Sequence, residues 1–177
     1  AEVYNLENSE CKATTTFDIQ VFQSPLPSTT ISPIQLCDNT SFGSDVDGKV
    51  VFNLTSKQTT ILNGQSATNF MLSYYKDAAL TDLISNPATY VNTNVVETIY
   101  VKMTNNQNVN CYATTSFQIE VFPLPSITST VSLKQCDDNN DGFSAFNLTE
   151  ANEFVVTSTT GLSFSYFETL TEAENNT

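Results

Sequence analysis

The sequence predicts an all-β protein built as a tandem repeat, and two observations carry that prediction. The first is a period of two. In Cys111–Phe122 the apolar residues Phe117, Ile119 and Val121 alternate with Gln118 and Glu120, the pattern of a strand with one face in a core. Pro123-Leu124-Pro125 follows, and proline ends a sheet strand because it has no N–H to donate. The second observation is recurrence. Cys11–Phe22 carries nearly the same residues 100 positions earlier, and Pro25-Leu26-Pro27 follows it in turn. Self-similarity at about the length of a small domain points to an array of copies.

Three further pairs extend the repeat. Gln35-Leu36-Cys37-Asp38 resembles Lys134-Gln135-Cys136-Asp137, Phe52-Asn53-Leu54-Thr55 equals Phe146-Asn147-Leu148-Thr149, and Leu72-Ser73-Tyr74-Tyr75 resembles Phe164-Ser165-Tyr166-Phe167. The offset shrinks along the chain, which places insertions in the earlier copy, between Cys37 and Phe52 and again before Leu72. Loops tolerate such changes of length. The register divides the chain into the end of one copy (1–23), a linker (24–33), a complete copy (34–123), a second linker (124–132) and the front of a further copy (133–177). Both linkers are read from their Pro, Ser and Thr content. The complete copy has about ninety residues, the size of an immunoglobulin-like sandwich, so the expected fold is a series of immunoglobulin-like β-sandwich repeats. The chain is expected to be a segment of a longer array.

Within the complete copy, Val50–Thr55 is expected to be a strand with Phe52 and Leu54 inward. Asn69–Tyr75 is expected to bury Phe70, Leu72 and Tyr74, a face repeated by Leu162, Phe164 and Tyr166. Asp77–Ser85 is ambiguous and admits a short helical turn. Glu97–Thr104 sets Ile99, Val101 and Met103 against Thr98, Tyr100 and Lys102. The polar run Asn105–Asn110 then turns the chain into Cys111–Phe122 as a hairpin. In the first copy, Val3-Tyr4 is matched to Ile99-Tyr100 across a shorter loop.

Composition excludes several functions. Six basic residues stand against nineteen acidic ones, a net charge of −13, which argues against nucleic acid and anionic membrane partners. The acidity serves solubility or cation binding. Histidine is absent, which removes Ser-His-Asp and Cys-His catalysis and His-based zinc sites. The sequence contains no Gly-rich phosphate loop or nucleophile elbow, and no apolar run nears the ~20 residues of a membrane helix. The expectation is a protein that is not an enzyme and does not insert in a membrane.

The four cysteines occupy equivalent places in successive copies, which suggests disulfides and an oxidising compartment. Two pairings are serious: Cys37–Cys111 within the complete copy, or Cys11–Cys37 with Cys111–Cys136 between neighbours. If the first and last strands run parallel from the same end, Cys37 lies beside Cys111. That pairing is preferred, and Cys11 and Cys136 then have partners outside the segment.

The acidic run after Cys136 is the remaining chemical signal. Asp137, Asn139 and Asp141, followed by Gly142, match the start of a calcium loop, in which alternate oxygens converge on one hard cation. Leu148 stands where an EF-hand needs a glutamate, so the loop is a simpler Ca2+ turn or an Asx-rich β-turn. Asp138, and Asp45 and Asp47 before Gly48, are weaker ligand candidates. Asn53-Leu54-Thr55 and Asn147-Leu148-Thr149 fit the glycosylation pattern, but packing explains their recurrence better. Tyr75, Tyr90, Tyr100 and Tyr112 are suited to stacking on sugar rings, with packing on a sheet face the more ordinary use.

These motifs, Cys111–Pro125, then Cys136–Thr149, then Ser165-Tyr166-Phe167-Glu168-Thr169 with Glu172-Ala173-Glu174, resemble tandem repeats of very large surface proteins of flavobacteria and other Bacteroidetes. Those proteins are exported by the type 9 secretion system and include gliding-motility adhesins of the SprB type. The resemblance implies an immunoglobulin-like extracellular repeat at the cell surface, with an adhesive or stalk role. Its partners would be neighbouring repeats of the same chain, surface glycans or other cell-surface proteins. The competing readings are a glycan-binding module and an accessory β-sandwich of a secreted hydrolase.

Overall fold

Alternating sequence becomes strand wherever a neighbouring chain is at hand to complete the ladder. The computed structural model describes residues 1–176, in two units that part between Pro123 and Leu124. The first unit opens with an antiparallel hairpin of β1 (Glu2–Asn5) and β2 (Asn8–Thr14). There follow β3 (Ile34–Cys37), β4 (Val51–Phe52), a 3-10 turn at Leu54–Lys57 and α1 (Gln58–Leu62). The chain continues through β5 (Phe70–Tyr75), β6 (Tyr90–Val91), β7 (Val96–Asn105) and β8 (Asn108–Phe122). The main sheet has the order β3-β8-β7-β5; β3 runs parallel to β8 and the other pairs are antiparallel. β4 and β6 form a separate antiparallel pair. The second unit has a 3-10 turn at Leu148–Ala151, α2 (Asn152–Val155) and α3 (Leu170–Asn175), and no strand among the described residues. The protein is mainly strand with a few short helices.

The inward residues of β7 and β8 come out as the alternation predicts. Ile99, Val101, Phe117 and Ile119 are buried with Val50, Phe52, Leu54 and Ile61 in one cluster that draws on both sheets. Each such side chain contributes roughly 1.5–3 kcal/mol by leaving water. Met103 and Phe70 join Leu62 in a smaller cluster beneath α1. That helix stops at Asn63, whose left-handed backbone (φ 49°) turns its N–H back to the Thr60 carbonyl, a conformation that asparagine tolerates better than most residues.

Four local expectations are corrected. Val50–Thr55 is strand only at β4; the Asn53 side chain accepts the Thr55 N–H and starts a 3-10 turn, which buries Leu54 by a different route. Asp77–Ser85 is not helical, because the Asp77 carboxylate gathers the N–H groups of Thr81 and Asp82 into a tight loop that returns Leu83 to Tyr75. Val3 does not correspond to Ile99. Val3 faces Ala13 as Met103 faces Ala113, and Asn5 pairs with Asn8 as Asn105 pairs with Asn108. The first hairpin is therefore in constant register with the second, irregularity before the turn included.

The fourth correction concerns the linkers. Residues 24–33 are not a free spacer but an edge of the copy that follows. Gln65 donates to the Ser24 carbonyl and accepts the Leu26 N–H, Ser28 donates to the Ile61 carbonyl, and Thr115 donates to the Ser28 carbonyl. Pro25 is buried and Ile31 packs on the core. In the second unit Thr128 donates to the Val155 carbonyl, the same bond one copy later. Proline suits such a strip, since its missing N–H leaves no orphaned donor.

Candidate functional site

The features left over from the core gather at the two ends of the complete copy. At one end lies Cys37. The parallel register sets Ile34 beside Ile119 and Cys37 beside Phe122, and Asp38 continues the ladder by donating its N–H to the Phe122 carbonyl at 2.8 Å. At the other end lies Cys111, three residues past the β7–β8 turn. Eleven residues of continuous strand separate Cys111 from Phe122, or about 36 Å. A disulfide needs Cα atoms within about 7 Å, so the expected Cys37–Cys111 bridge is excluded. The strands are parallel as expected, but β3 meets the last four residues of the fifteen-residue β8 rather than its start. No two of the four cysteines are bonded to each other among the described residues; Cys37 is exposed and Cys111 half-buried.

The Cys111 end meets the preceding copy. Asn105, buried at the end of β7, donates from Nδ2 to the Gln23 carbonyl at 2.8 Å. Val21, Phe22 and Gln23 line a crevice of about 150 Å3 with Thr68, Asn69, Asn105, Asn106 and Gln107. The turn itself is held by side chains, since Asn105 Oδ1 accepts the Gln107 N–H and Asn108 Oδ1 that of Asn110. In the first hairpin Asn5 and Asn8 do the same for Glu7 and Glu10.

The Cys37 end carries the acidic loop. Asp38 is 2 % exposed; its Oδ2 accepts the Gly48 N–H at 2.7 Å, while its Oδ1 has no partner. Asp47 accepts from Ser44 and Lys49. The later copy repeats the arrangement with a shorter loop: Asp137 Oδ2 accepts the Gly142 N–H, Asp141 Oδ1 the Phe143 N–H and Asn139 Oδ1 the Asp141 N–H. Asp137 therefore aligns with Asp38, and Asp141 with Asp47. The amide of Gly142 holds the Asp137 carboxyl below its usual pKa. Both glycines take positive φ, 72° at Gly48 and 83° at Gly142, where a side chain would be strained. Asp45 and Asp138 have no hydrogen bond in either loop, and no group of three His, Cys, Asp or Glu side chains among the described residues stands close enough to share an ion.

Two residues that support this end went unread in the sequence. Asn92, also 2 % exposed, accepts the Val50 N–H and donates to the carbonyls of Gly48 and Asn94, tying the loop to β4. Glu97 accepts from Tyr90 and Asn94 and from both donors of Thr93. Burial opposes its charge, but the bonds from Thr93, Tyr90 and Asn94 outweigh it and leave the carboxyl below its usual pKa. Tyr90 is raised, by burial first and then by Glu97. Tyr90 is thus buried and spent on Glu97, not offered to a sugar. Tyr112 is exposed with the Lys102 ammonium 4.3 Å from its ring centre, and Tyr75 lies opposite Tyr100. Asp38 had a signal in its recurrence as Asp137; Asn92 and Glu97 had none.

One family model accounts for this repeat, matching residues 33–125 and again 132–177. The chain belongs to the Flavobacterium inter-domain disulphide bond domain family. The two matches begin at the end of each Pro-rich strip. The family's description points to flavobacteria, the group that the sequence resemblance indicates. No curated protein and no solved structure matches the chain.

Proposed function

We propose that this chain is a non-catalytic stretch of a large bacterial surface adhesin or filament, an extracellular stalk of immunoglobulin-like copies cross-linked to one another. The observation that carries it is the continuous junction: the strip that follows one copy is hydrogen-bonded along the next, from Gln23 at Asn105 to Ser28 at Thr115 and Ile34 beside Ile119. Such a connection transmits load and orientation rather than swinging freely. The immunoglobulin-like reading has its support in the antiparallel trio β8, β7 and β5 and the separate antiparallel pair β4 and β6, whose side chains share one core as the two sheets of such a sandwich do. Export by the type 9 system and a part in gliding follow from the sequence resemblance. The partners are neighbouring copies of the same chain.

Calcium at Asp137–Gly142 belongs to this reading. Its support is that Asp137, Asn139 and Asp141 are held on one short turn, and a hard cation suits their oxygens. Antibody raised against residues 24–123 and applied to intact cells of the source bacterium tests the whole proposal. Surface labelling, with loss of attachment or gliding when the repeat region is deleted, is the expected result. Labelling only after the cells are broken open overturns it.

A further inference from the structure

We propose that the outer face of the main sheet is a platform for an acidic polysaccharide, with sugar rings stacked on its tyrosines and a uronate carboxylate held by Lys102. The register lays the face out. Tyr112 on β8 lies opposite Thr104 on β7, and Lys102 lies between Ser73 on β5 and Thr114. Tyr100 lies between Tyr75 and Ser116. The alternate residues of these strands, such as Val101, Met103 and Phe117, are buried, so the rows point away from the core. Four residues of strand separate the Tyr112 row from the Tyr100 row, about 14 Å, with Lys102 midway. Flat rings with a negative face suit the C–H faces of pyranoses, and the hydroxyls between them suit sugar hydroxyls.

Charge selects among glycans. Lys102 forms no ion pair among the described residues; its ammonium lies 4.3 Å from the Tyr112 ring centre, and Tyr112 stays 52 % exposed. The cation steadies the ring and keeps its capacity for a carboxylate. The carboxylates at the margins are already engaged. Asp82 pairs with Lys76 beyond Tyr75, and Glu120 accepts from Gln35, about 20 Å along β8 from Thr114. The net charge of −13 acts weakly on this face, because physiological salt screens exposed charges beyond about 8 Å. The earlier copy supplies the contrast. Its register puts Glu2 where Lys102 stands and Lys12 where Tyr112 stands, and there the two side chains pair with each other at 3.5 Å. The same two positions close on themselves in one copy and present a ring with an unpaired ammonium in the other. Both lie on the solvent face, so core packing does not call for the exchange.

The platform adds a ligand class to the surface role proposed above and is tested on the chain alone, so the two fail separately. The probe is a galacturonate tetramer titrated into the 177-residue chain, followed by amide NMR, with cellotetraose as the neutral control. Shifts are expected at Lys102, Tyr112 and Thr114, with the neutral tetramer bound about threefold more weakly. Lys102→Gln should weaken uronate binding about threefold and erase that preference. Tyr112→Ala should weaken both tetramers about tenfold, and Tyr112→Phe should restore them. These substitutions lie on the solvent face and should leave the unfolding midpoint unchanged. A spectrum unmoved in about 10 mM tetramer, well above a millimolar dissociation constant, overturns the platform, as do shifts confined to other surfaces. Equal affinity for the two tetramers overturns the acidic ligand class. A protein found only in the cytoplasm overturns the surface role and not the platform.

Discussion

Cys11–Phe22 and Cys111–Phe122 share most of their residues and not their fate. In the later stretch Ile119 is fully buried; in the earlier one Ile19 is 81 % exposed. β8 runs through to Phe122, while β2 ends at Thr14 and residues 15–22 form no ladder. The difference lies in neighbours. β8 has β7 on one side and β3 on the other, whereas beyond Thr14 the first stretch has neither. The Phe-Asn-Leu-Thr pair teaches the same lesson from a helix. Asn53 and Asn147 start identical 3-10 turns with identical side-chain bonds, yet Phe52 is fully buried and Phe146 is 49 % exposed. Short-range hydrogen bonds recur with sequence; burial recurs only where the rest of the copy surrounds it.

The contrast can be broken most forcefully in the core. Ile119→Ala is expected to cost about 2–5 kcal/mol in urea unfolding of this chain, and Phe52→Ala about 3–5 kcal/mol, from lost burial and the cavity left behind. Ile19→Ala and Phe146→Ala should move the same transition by less than about 0.5 kcal/mol. Comparable losses in both members of a pair would mean that the exposed copies are packed after all.

Asn92→Ala comes next, at about 2 kcal/mol, because it orphans the buried Val50 N–H and the Gly48 carbonyl. Loss of amide exchange protection should centre on Val50 and Val51. Protection unchanged there would show that water replaces the side chain.

The caps sharpen the comparison on a smaller scale. Asn53→Ala should cost about 1 kcal/mol, as for other helix N-caps, while Asn147→Ala should leave the unfolding midpoint where it is. Equal effects would contradict the separation of local from tertiary structure.

Acid should act through Glu97. Its pKa is lowered by folding, so its contribution is complete above the unfolded carboxylate value, about 4.3. It is lost as pH falls through the lower folded value. Wild type should therefore lose stability below about pH 4.3 more steeply than Glu97→Gln, with melting temperature against pH as the measurement. Parallel curves would remove Glu97 from the account.

The two acidic loops offer the smallest effect. Calcium is expected to shift the Gly142 amide resonance with a dissociation constant of roughly 0.1–1 mM, and the Gly48 amide less. Asp141→Ala should abolish the first shift. A Gly142 resonance unmoved in about 10 mM calcium, well above that range, would leave the loop as a turn only.

Much of this protein was determined by sequence alone. The alternation in Glu97–Phe122 specified two strands and their inward faces, because a period of two is a property of the backbone. The recurrence of Cys, Phe-Asn-Leu-Thr and the acidic run marked the repeat, because equal residues at a near-constant offset make equal local bonds, as at Asn53 and Asn147. Tertiary structure alone decided the rest. It assigned the Pro-rich strips to the copy they precede, since only the positions of Gln65, Ile61 and Thr115 reveal what Ser24, Leu26 and Ser28 bond to. It placed Cys37 beside Phe122 rather than Cys111, because a parallel pair can slide along its partner and no residue pattern within either strand records how far. It also put Asn92 and Asp38 inside the protein, where a polar side chain persists through bonds to residues distant in sequence. Those bonds leave no periodic trace.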